Sequence, residues 1–154
     1  MKPISLILIF SLFSIFSIQA QTVRMETVLG NIDIELDAQV APNTVANFLN
    51  YVRDGDYDNS YIHRSVPNFI IQGGGYTSVN GVSGTVPQDA PIALEANLPN
   101  QRGTIAMART NQLNSATSQW FFNLADNTNL DGSNGYAVFG KVIAGMDVVD
   151  AIAA

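Results

Sequence analysis

The chain has no cysteine, one histidine and one tryptophan in 154 residues. Without cysteine there are no disulfides, no thiol nucleophile, no thiolate metal site and no lipid-modified N-terminal cysteine. A single histidine excludes a metal site built on a histidine cluster. With no serine or cysteine partner in a nucleophile motif, His63 is also a weak general base. Basic residues are scarce, seven Lys and Arg against thirteen Asp and Glu, for a net charge of −6. That balance argues against nucleic acid or anionic lipid as the main partner, since both reward clustered cations. The acids are scattered and read as solvated surface. Charged residues make up only 13% of the chain against 47% apolar, which fits a compact globule and not a disordered segment. There is no internal repeat, linker or low-complexity tract, and the length suits one domain.

A long apolar run is also lacking. Ile4–Ile18 is broken only by polar Ser residues, is preceded by Lys2 and ends near Ala20. It is shorter than the roughly 20 residues of an ordinary membrane-spanning helix. The pattern is that of a secretory signal peptide over residues 1–20, with an uncleaved anchor as the competing reading. Residues 21–154 are then an exported domain, periplasmic in a Gram-negative bacterium or otherwise secreted.

Within that domain, Thr22–Val28 and Asn31–Leu36 read as a hairpin turning at Leu29-Gly30, with Ile32, Ile34 and Leu36 on one face. Pro42–Arg53 reads as a helix whose apolar face is Val45, Phe48, Leu49 and Val52, stopped by Gly55. Tyr76–Ala90 is rich in Gly, Ser and Thr and reads as a long loop. Further strands are expected at Ile92–Leu94, Gly103–Ala108, Gln119–Leu124 and Ala137–Val142, and a late helix at Met146–Ile152. Many short strands with one early and one late helix predict a mainly β fold, an antiparallel barrel or sandwich with helical caps.

The chemically pointed segment is Tyr61–Gly75, Tyr-Ile-His-Arg-Ser-Val-Pro-Asn-Phe-Ile-Ile-Gln-Gly-Gly-Gly. It sets a buriable arginine and glutamine among apolar strand residues. On residue type alone, Arg64 could equally be a surface arginine, and Phe69, Ile70, Phe121 and Leu130 plain core. Gly73-Gly74-Gly75 lacks the Gly-Lys-Ser/Thr of a phosphate loop. Asn127–Gly132 starts like a calcium loop but has Val138 where the glutamate is required. No metal and no cofactor are expected.

Tyr61–Gly75 resembles the aromatic-x-His-Arg-x-x-Pro-x-Phe-x-x-Gln-Gly-Gly signature of the cyclophilins, a family of peptidyl-prolyl cis/trans isomerases. Gly103–Ala108 resembles that family's substrate-edge strand, and Ser118-Gln119-Trp120-Phe121-Phe122 its Ser-Gln-Phe-Phe segment. Leu130-Asp131-Gly132 and Tyr136–Val142 resemble its closing motifs. The resemblance runs from about Thr22 to the end. It implies an antiparallel β-barrel, eight-stranded in the family, with two capping helices.

It also implies roles. Arg64 is the catalytic arginine, and Gln72 helps hold Arg64 and the substrate carbonyl. Phe69, Ile70, Phe121 and Leu130 wall a proline socket, with His63 and Tyr136 at its rim. Ala108, Arg109 and Gln119 border the groove for residues before proline, where the Arg109 backbone pairs with the peptide. The implied partner is a proline-containing polypeptide and the implied task is isomerisation during folding of exported proteins. A binding or chaperone module using the same groove without turnover is the alternative. Nothing signals an oligomer, and a monomer is expected.

Two departures from the family pattern carry expectations. Asn129 stands where many eukaryotic members have tryptophan, so weak or no cyclosporin binding is expected. Tyr136 stands where many have histidine, as in bacterial exported members. The family pattern also continues beyond the late helix into a closing strand, whereas the sequence ends at Ala154. The reading is therefore of a C-terminally incomplete domain with an open barrel.

Overall fold

The computed structural model describes residues 21–154; the expected signal peptide lies outside the described residues. Among the described residues nine strands, two helices and a 3-10 turn follow one another, beginning with the hairpin β1 (Gln21–Thr27) and β2 (Gly30–Leu36). Strict alternation on β2 buries Ile32, Ile34 and Leu36. Asp33 and Glu35, on its other face, pair with Arg24 and Lys141. The turn is Val28-Leu29, one residue earlier than expected, because Thr27 pairs directly with Gly30.

Helix α1 (Pro42–Asp54) starts on proline and ends on Gly55, whose φ of 74° places it in the left-handed region. Its buried face is Thr44, Val45, Asn47, Phe48 and Tyr51. Val52, expected inside, is exposed. Polar partners account for the shift. Asn47 Nδ2 donates to the Thr117 carbonyl at 2.7 Å, and Tyr51 Oη accepts from Asp89 N at 2.9 Å. Polar side chains with such partners can be buried on a helix face that a purely apolar count misses. The helix has no side chain of its own at the N-cap. Glu95 supplies one from a distant loop, accepting from the backbone and side chains of Asn43 and Thr44 at 2.8–3.2 Å.

The segment Tyr61–Gly75 is two strands, β3 (Arg64–Val66) and β4 (Ile70–Gly73), joined by a tight turn in which Phe69 N donates to the Val66 carbonyl at 3.1 Å. The long loop expected at Tyr76–Ala90 contains a second hairpin, β5 (Tyr76–Val79) and β6 (Val82–Thr85). Asn80 and Gly81 turn it, both with positive φ. The strand expected at Ile92–Leu94 is reduced to one bridge, Ile92 to Ala116. Leu94 N instead donates to Asn114 Oδ1 at 3.0 Å.

The other strands are β7 (Thr104–Met107), β8 (Trp120–Asn123) and β9 (Val138–Ala144), followed by helix α2 (Met146–Ala153). Seven strands form one antiparallel sheet in the order β1-β2-β9-β7-β8-β4-β3, a curled half-barrel with β1 and β3 at its edges. The expected mainly β, helix-capped fold is the one observed. The principal core includes Ile32, Ile34, Phe48, Ile71, Ile105, Trp120, Phe122 and Phe139.

Candidate functional site

Both faces of the central strands are covered, so β8 reads Trp-Phe-Phe-Asn with all four residues buried. Trp120 and Phe122 belong to the principal core, while Phe121 joins a second cluster. The register builds that second cluster. Arg64 lies opposite Gln72, Gln72 opposite Phe121, Phe121 opposite Ala106, and Ala106 opposite Val138. Directly opposed residues share a face of a sheet. One row across five strands therefore starts at a guanidinium, passes a carboxamide, and ends on apolar ground. Ile70, two residues before Gln72, joins the same face. Ile70, Ala106, Phe121 and Val138 are the buried floor, against which Phe69, Leu98, Ala108, Leu130 and Tyr136 pack.

The polar side of the row is a chain of hydrogen bonds. Arg64 Nη1 donates to Gln72 Oε1 at 3.2 Å, and Gln72 Nε2 donates to Gln119 Oε1 at 2.8 Å. Arg64 was expected to be buriable and is instead exposed. It sits on an edge strand, which leaves the guanidinium open to anything in the groove. Among the described residues the ion pairs are Arg24–Asp33, Arg102–Asp150 and Lys141–Glu35, so neither Arg64 nor Arg109 is neutralised by a carboxylate.

His63 precedes Arg64, and its backbone N–H donates to the Gln72 carbonyl at 3.1 Å. Its ring packs edge-on to Tyr76, 4.9 Å between centroids. Burial, helped by the nearby Arg64 charge and opposed by Gln119, holds the imidazole pKa below the usual histidine range. His63 is therefore neutral near pH 7. At the other side of the groove, Ala108 N donates to the Gln119 carbonyl at 2.9 Å, which joins two of the three residues expected at its border, with Arg109 next in the chain. Tyr136 meets Phe121 edge-on at 5.5 Å and lies under the Arg109 guanidinium, 4.7 Å from its ring centroid.

Gly74 shows why the glycine run follows β4. Its φ is 75°, and a Cβ there would lie 2.6 Å from the Ser118 carbonyl oxygen and 2.7 Å from Trp120 Nε1. Only glycine lets the chain leave β4 this close to the start of β8.

All eleven residues singled out in the sequence stand on or beside this one surface. The residues missed are three buried asparagines, Asn100, Asn123 and Asn127. Asn127 Nδ2 donates to the Phe69 carbonyl at 2.9 Å and to Asn123 Oδ1 at 2.7 Å. Asn123 Nδ2 donates to Asn100 Oδ1 at 3.2 Å, and Asn100 Nδ2 to the Leu130 carbonyl at 3.1 Å. The ladder thus ties together the backbones of two apolar lining residues, Phe69 and Leu130. It also uses the calcium-like segment: Asp131 Oδ1 accepts from Asn100 N at 2.7 Å. Only Asn123 stands in an apolar run, Trp120–Leu124; Asn100 and Asn127 lie in polar stretches that carry no signal.

Chemically, the surface offers a dry apolar floor, a charged donor at its edge and a carboxamide that orients the donor. The neutral His63 imidazole stands at its rim with no serine or cysteine nucleophile beside it among the residues that line the surface. Such a surface can hold a small apolar ring and donate a hydrogen bond beside it.

A sequence model of the family described as cyclophilin type peptidyl-prolyl cis-trans isomerase/CLD matches residues 22–154. The chain is 48% identical to a peptidyl-prolyl cis-trans isomerase of Acinetobacter baylyi, over 99% of this chain and 82% of that protein. It is 49% identical to peptidyl-prolyl cis-trans isomerase A of Dickeya dadantii, over 84% of this chain and 70% of that one. Its fold is similar to that of a cyclophilin type peptidyl-prolyl cis-trans isomerase of Cryptosporidium parvum crystallised in the presence of the dipeptide Ala-Pro, with a TM-score of 0.74 and 29% identity, covering 86% of this chain and 85% of that one.

Proposed function

The chain belongs to the cyclophilin-type peptidyl-prolyl cis-trans isomerase family, and on that premise we propose that it turns over X–Pro bonds in exported polypeptides with Arg64 as the catalytic donor. The observation that carries the reading is the cross-strand row, which sets the Arg64 fork beside the buried Ile70–Phe121 floor. The Ala-Pro dipeptide of the Cryptosporidium relative supports a proline ring as the occupant of that floor.

An amide resists rotation because its C–N bond is conjugated, with a barrier of about 18–20 kcal/mol. In the twisted state the prolyl nitrogen regains its lone pair. A donor aimed at that nitrogen stabilises the twisted amide more than either planar form, which is what acceleration requires. A hydrogen bond from a charged group contributes about 1.5–3 kcal/mol, or roughly ten- to a hundredfold in rate. The remainder comes from a water-poor pocket that fits the twisted amide. Gln72 orients Arg64 while itself held by Gln119. Phe69, Ile70, Phe121 and Leu130 take the ring, and His63 and Tyr136 form the rim. Ala108, Arg109 and Gln119 border the approach of the preceding residues.

The Lys2, Ile4–Ile18 and Ala20 pattern supports export, to the periplasm in a Gram-negative cell, where folding polypeptides supply the substrate. Asn129, exposed beside Leu130, supports weak cyclosporin binding.

The test is protease-coupled isomerisation of a short Ala-Pro peptide by the wild-type chain and by Arg64→Ala. A loss in kcat/KM of at least about tenfold, with an unchanged unfolding midpoint, is expected. Equal rates in the two proteins overturn the role of Arg64. Peptide binding without turnover in the wild type replaces the isomerase reading with a binding module.

A further inference from the structure

The role given to Arg109 at the groove border is that of its backbone. Its side chain does something else. The residue follows β7, the strand that carries Ala106 in the cross-strand row, so its own position is fixed by the sheet. From there the guanidinium reaches into the loop between Asp131 and Tyr136. Nε donates to the Gly135 carbonyl at 3.0 Å, Nη2 donates to the Asn134 carbonyl, and Nη1 donates to the Thr110 carbonyl at 2.9 Å. Its plane lies over the Tyr136 ring, and that ring packs edge-on against Phe121. Tyr136 N donates in turn to the Leu130 carbonyl at 3.1 Å.

Two lining residues thus depend on one loop, and the loop is fastened from the sheet by one side chain. The loop is held at its ends, by Asn100 N donating to Asp131 Oδ1 at 2.7 Å and by Gly135 N donating to the Gly132 carbonyl at 2.9 Å. Gly132, Ser133 and Asn134 between them are exposed, and the Arg109 fork is the side chain that reaches the Asn134 and Gly135 carbonyls. We infer that the Arg109 side chain is a positioning residue for the isomerase site: it clamps the Gly132–Gly135 loop and presses Tyr136 onto Phe121, which fixes one wall of the proline socket. The inference rests on the isomerase reading of the groove.

The chemistry of the clamp is specific to arginine. A rigid planar fork can serve three carbonyls at once and still stack on an aromatic face. A lysine keeps the charge and can sit over the ring, but a single ammonium cannot span carbonyls on both sides of the groove border. A glutamine loses the charge and the stack together. The clamp acts on where the ring is bound, and Arg64 acts on how fast it turns. Substitution at Arg109 should therefore weaken binding and spare the turnover of bound peptide.

The experiment measures the Kd of a short Ala-Pro peptide by NMR titration and its cis/trans exchange rate at saturation. It uses the wild type, Arg109→Gln, Arg109→Lys, Tyr136→Leu, the double variant Arg109→Gln/Tyr136→Leu, and Arg64→Ala. Arg109→Gln should raise Kd by about tenfold with saturated exchange within about twofold of wild type, and Arg109→Lys should fall between them. In the Tyr136→Leu background, Arg109→Gln should add less than about twofold. A merely structural role would lower Tm and the active fraction while leaving Kd unchanged. An unchanged Kd, or full additivity with Tyr136→Leu, overturns the inference. Should Arg109→Gln not fold, Arg109→Lys carries the same comparison, with a raised Kd supporting the clamp and an unchanged one overturning it. Arg64→Ala separates the two levels: lost exchange with an unchanged Arg109→Gln Kd sinks the clamp alone, whereas retained exchange in Arg64→Ala sinks the reading of the site.

Discussion

Burial fixes the charge state of His63, and this makes the site pH-sensitive. The folded pKa lies below the usual value of about 6.5, with burial as the main cause. An unfolded chain therefore binds this proton more readily than the folded one. Stability is complete above about pH 6.5 and is lost as pH falls through the lower folded value. Urea midpoints measured between pH 8 and pH 5 should fall for the wild type, and fall less for His63→Gln. An equal decline in both proteins would remove His63 from the account.

Arg64 and Gln72 were legible because they stand in Tyr61–Gly75, the segment that resembles the family signature, and their direct pairing across β3 and β4 was seen only in the fold. The exposure of Arg64 was not, since nothing local says that β3 is an edge. The asparagine ladder was illegible for a different reason. Asn100, Asn123 and Asn127 meet only after the chain has folded, and Asn100 and Asn127 stand in polar connecting sequence that gives no hint of burial. Asn123→Leu should cost about 1–3 kcal/mol in chemical denaturation, because it strands two buried amides. It should also weaken peptide binding through Phe69 and Leu130.

Elements were readable where one signal dominated. Proline at the start and glycine at the end framed α1, and period-two alternation set β2. The β5–β6 hairpin was readable too, since Val79-Asn80-Gly81-Val82 carries the strongest short hairpin signal; the surrounding Ser and Gly masked it. The cap on α1 was not readable, because Glu95 lies about fifty residues from the helix it caps. Partial burial opposes its ionisation, but the four hydrogen bonds from Thr44 and Asn43 win and hold its pKa below the usual range. Glu95→Ala should destabilise the fold by about 1–2 kcal/mol at pH 7, by analogy with lost N-caps. The sign with pH follows. The carboxylate contributes fully above about pH 4.5 and progressively less as pH falls through its lower folded pKa. Denaturation curves of wild type and Glu95→Ala should therefore converge in acid. A constant gap down to pH 3 would contradict the cap.

At the scale of the molecule, one sheet serves two purposes. One face holds the principal core under both helices, and the other holds the groove. Substitutions in Trp120 or Phe122 should act on stability, and in Phe121 chiefly on binding, although the three are consecutive. The sheet is a half-barrel whose edges are β1 and β3, and an opening of about 820 Å³ beside β1 is lined by part-exposed apolar residues including Val23, Met25, Ile62 and Ile152. Edge strands leave alternate backbone groups unpaired. In the 154-residue chain, alternate β1 amides should exchange hydrogen faster than those of β7 and β8; uniform protection along β1 would show that its outer edge is covered.

The central claim is that the row from Arg64 to Val138 is a proline-binding surface on which Arg64 drives rotation. Exchange NMR with an isotope-labelled protein and a short Ala-Pro peptide reads both halves at once. The account predicts cis/trans exchange with wild type, amide shifts concentrated at Ile70, Gln72, Phe121 and Tyr136, and Arg64→Ala retaining the shifts while losing most of the exchange. Exchange undiminished in Arg64→Ala, or shifts confined to the opposite face of the sheet, would contradict it.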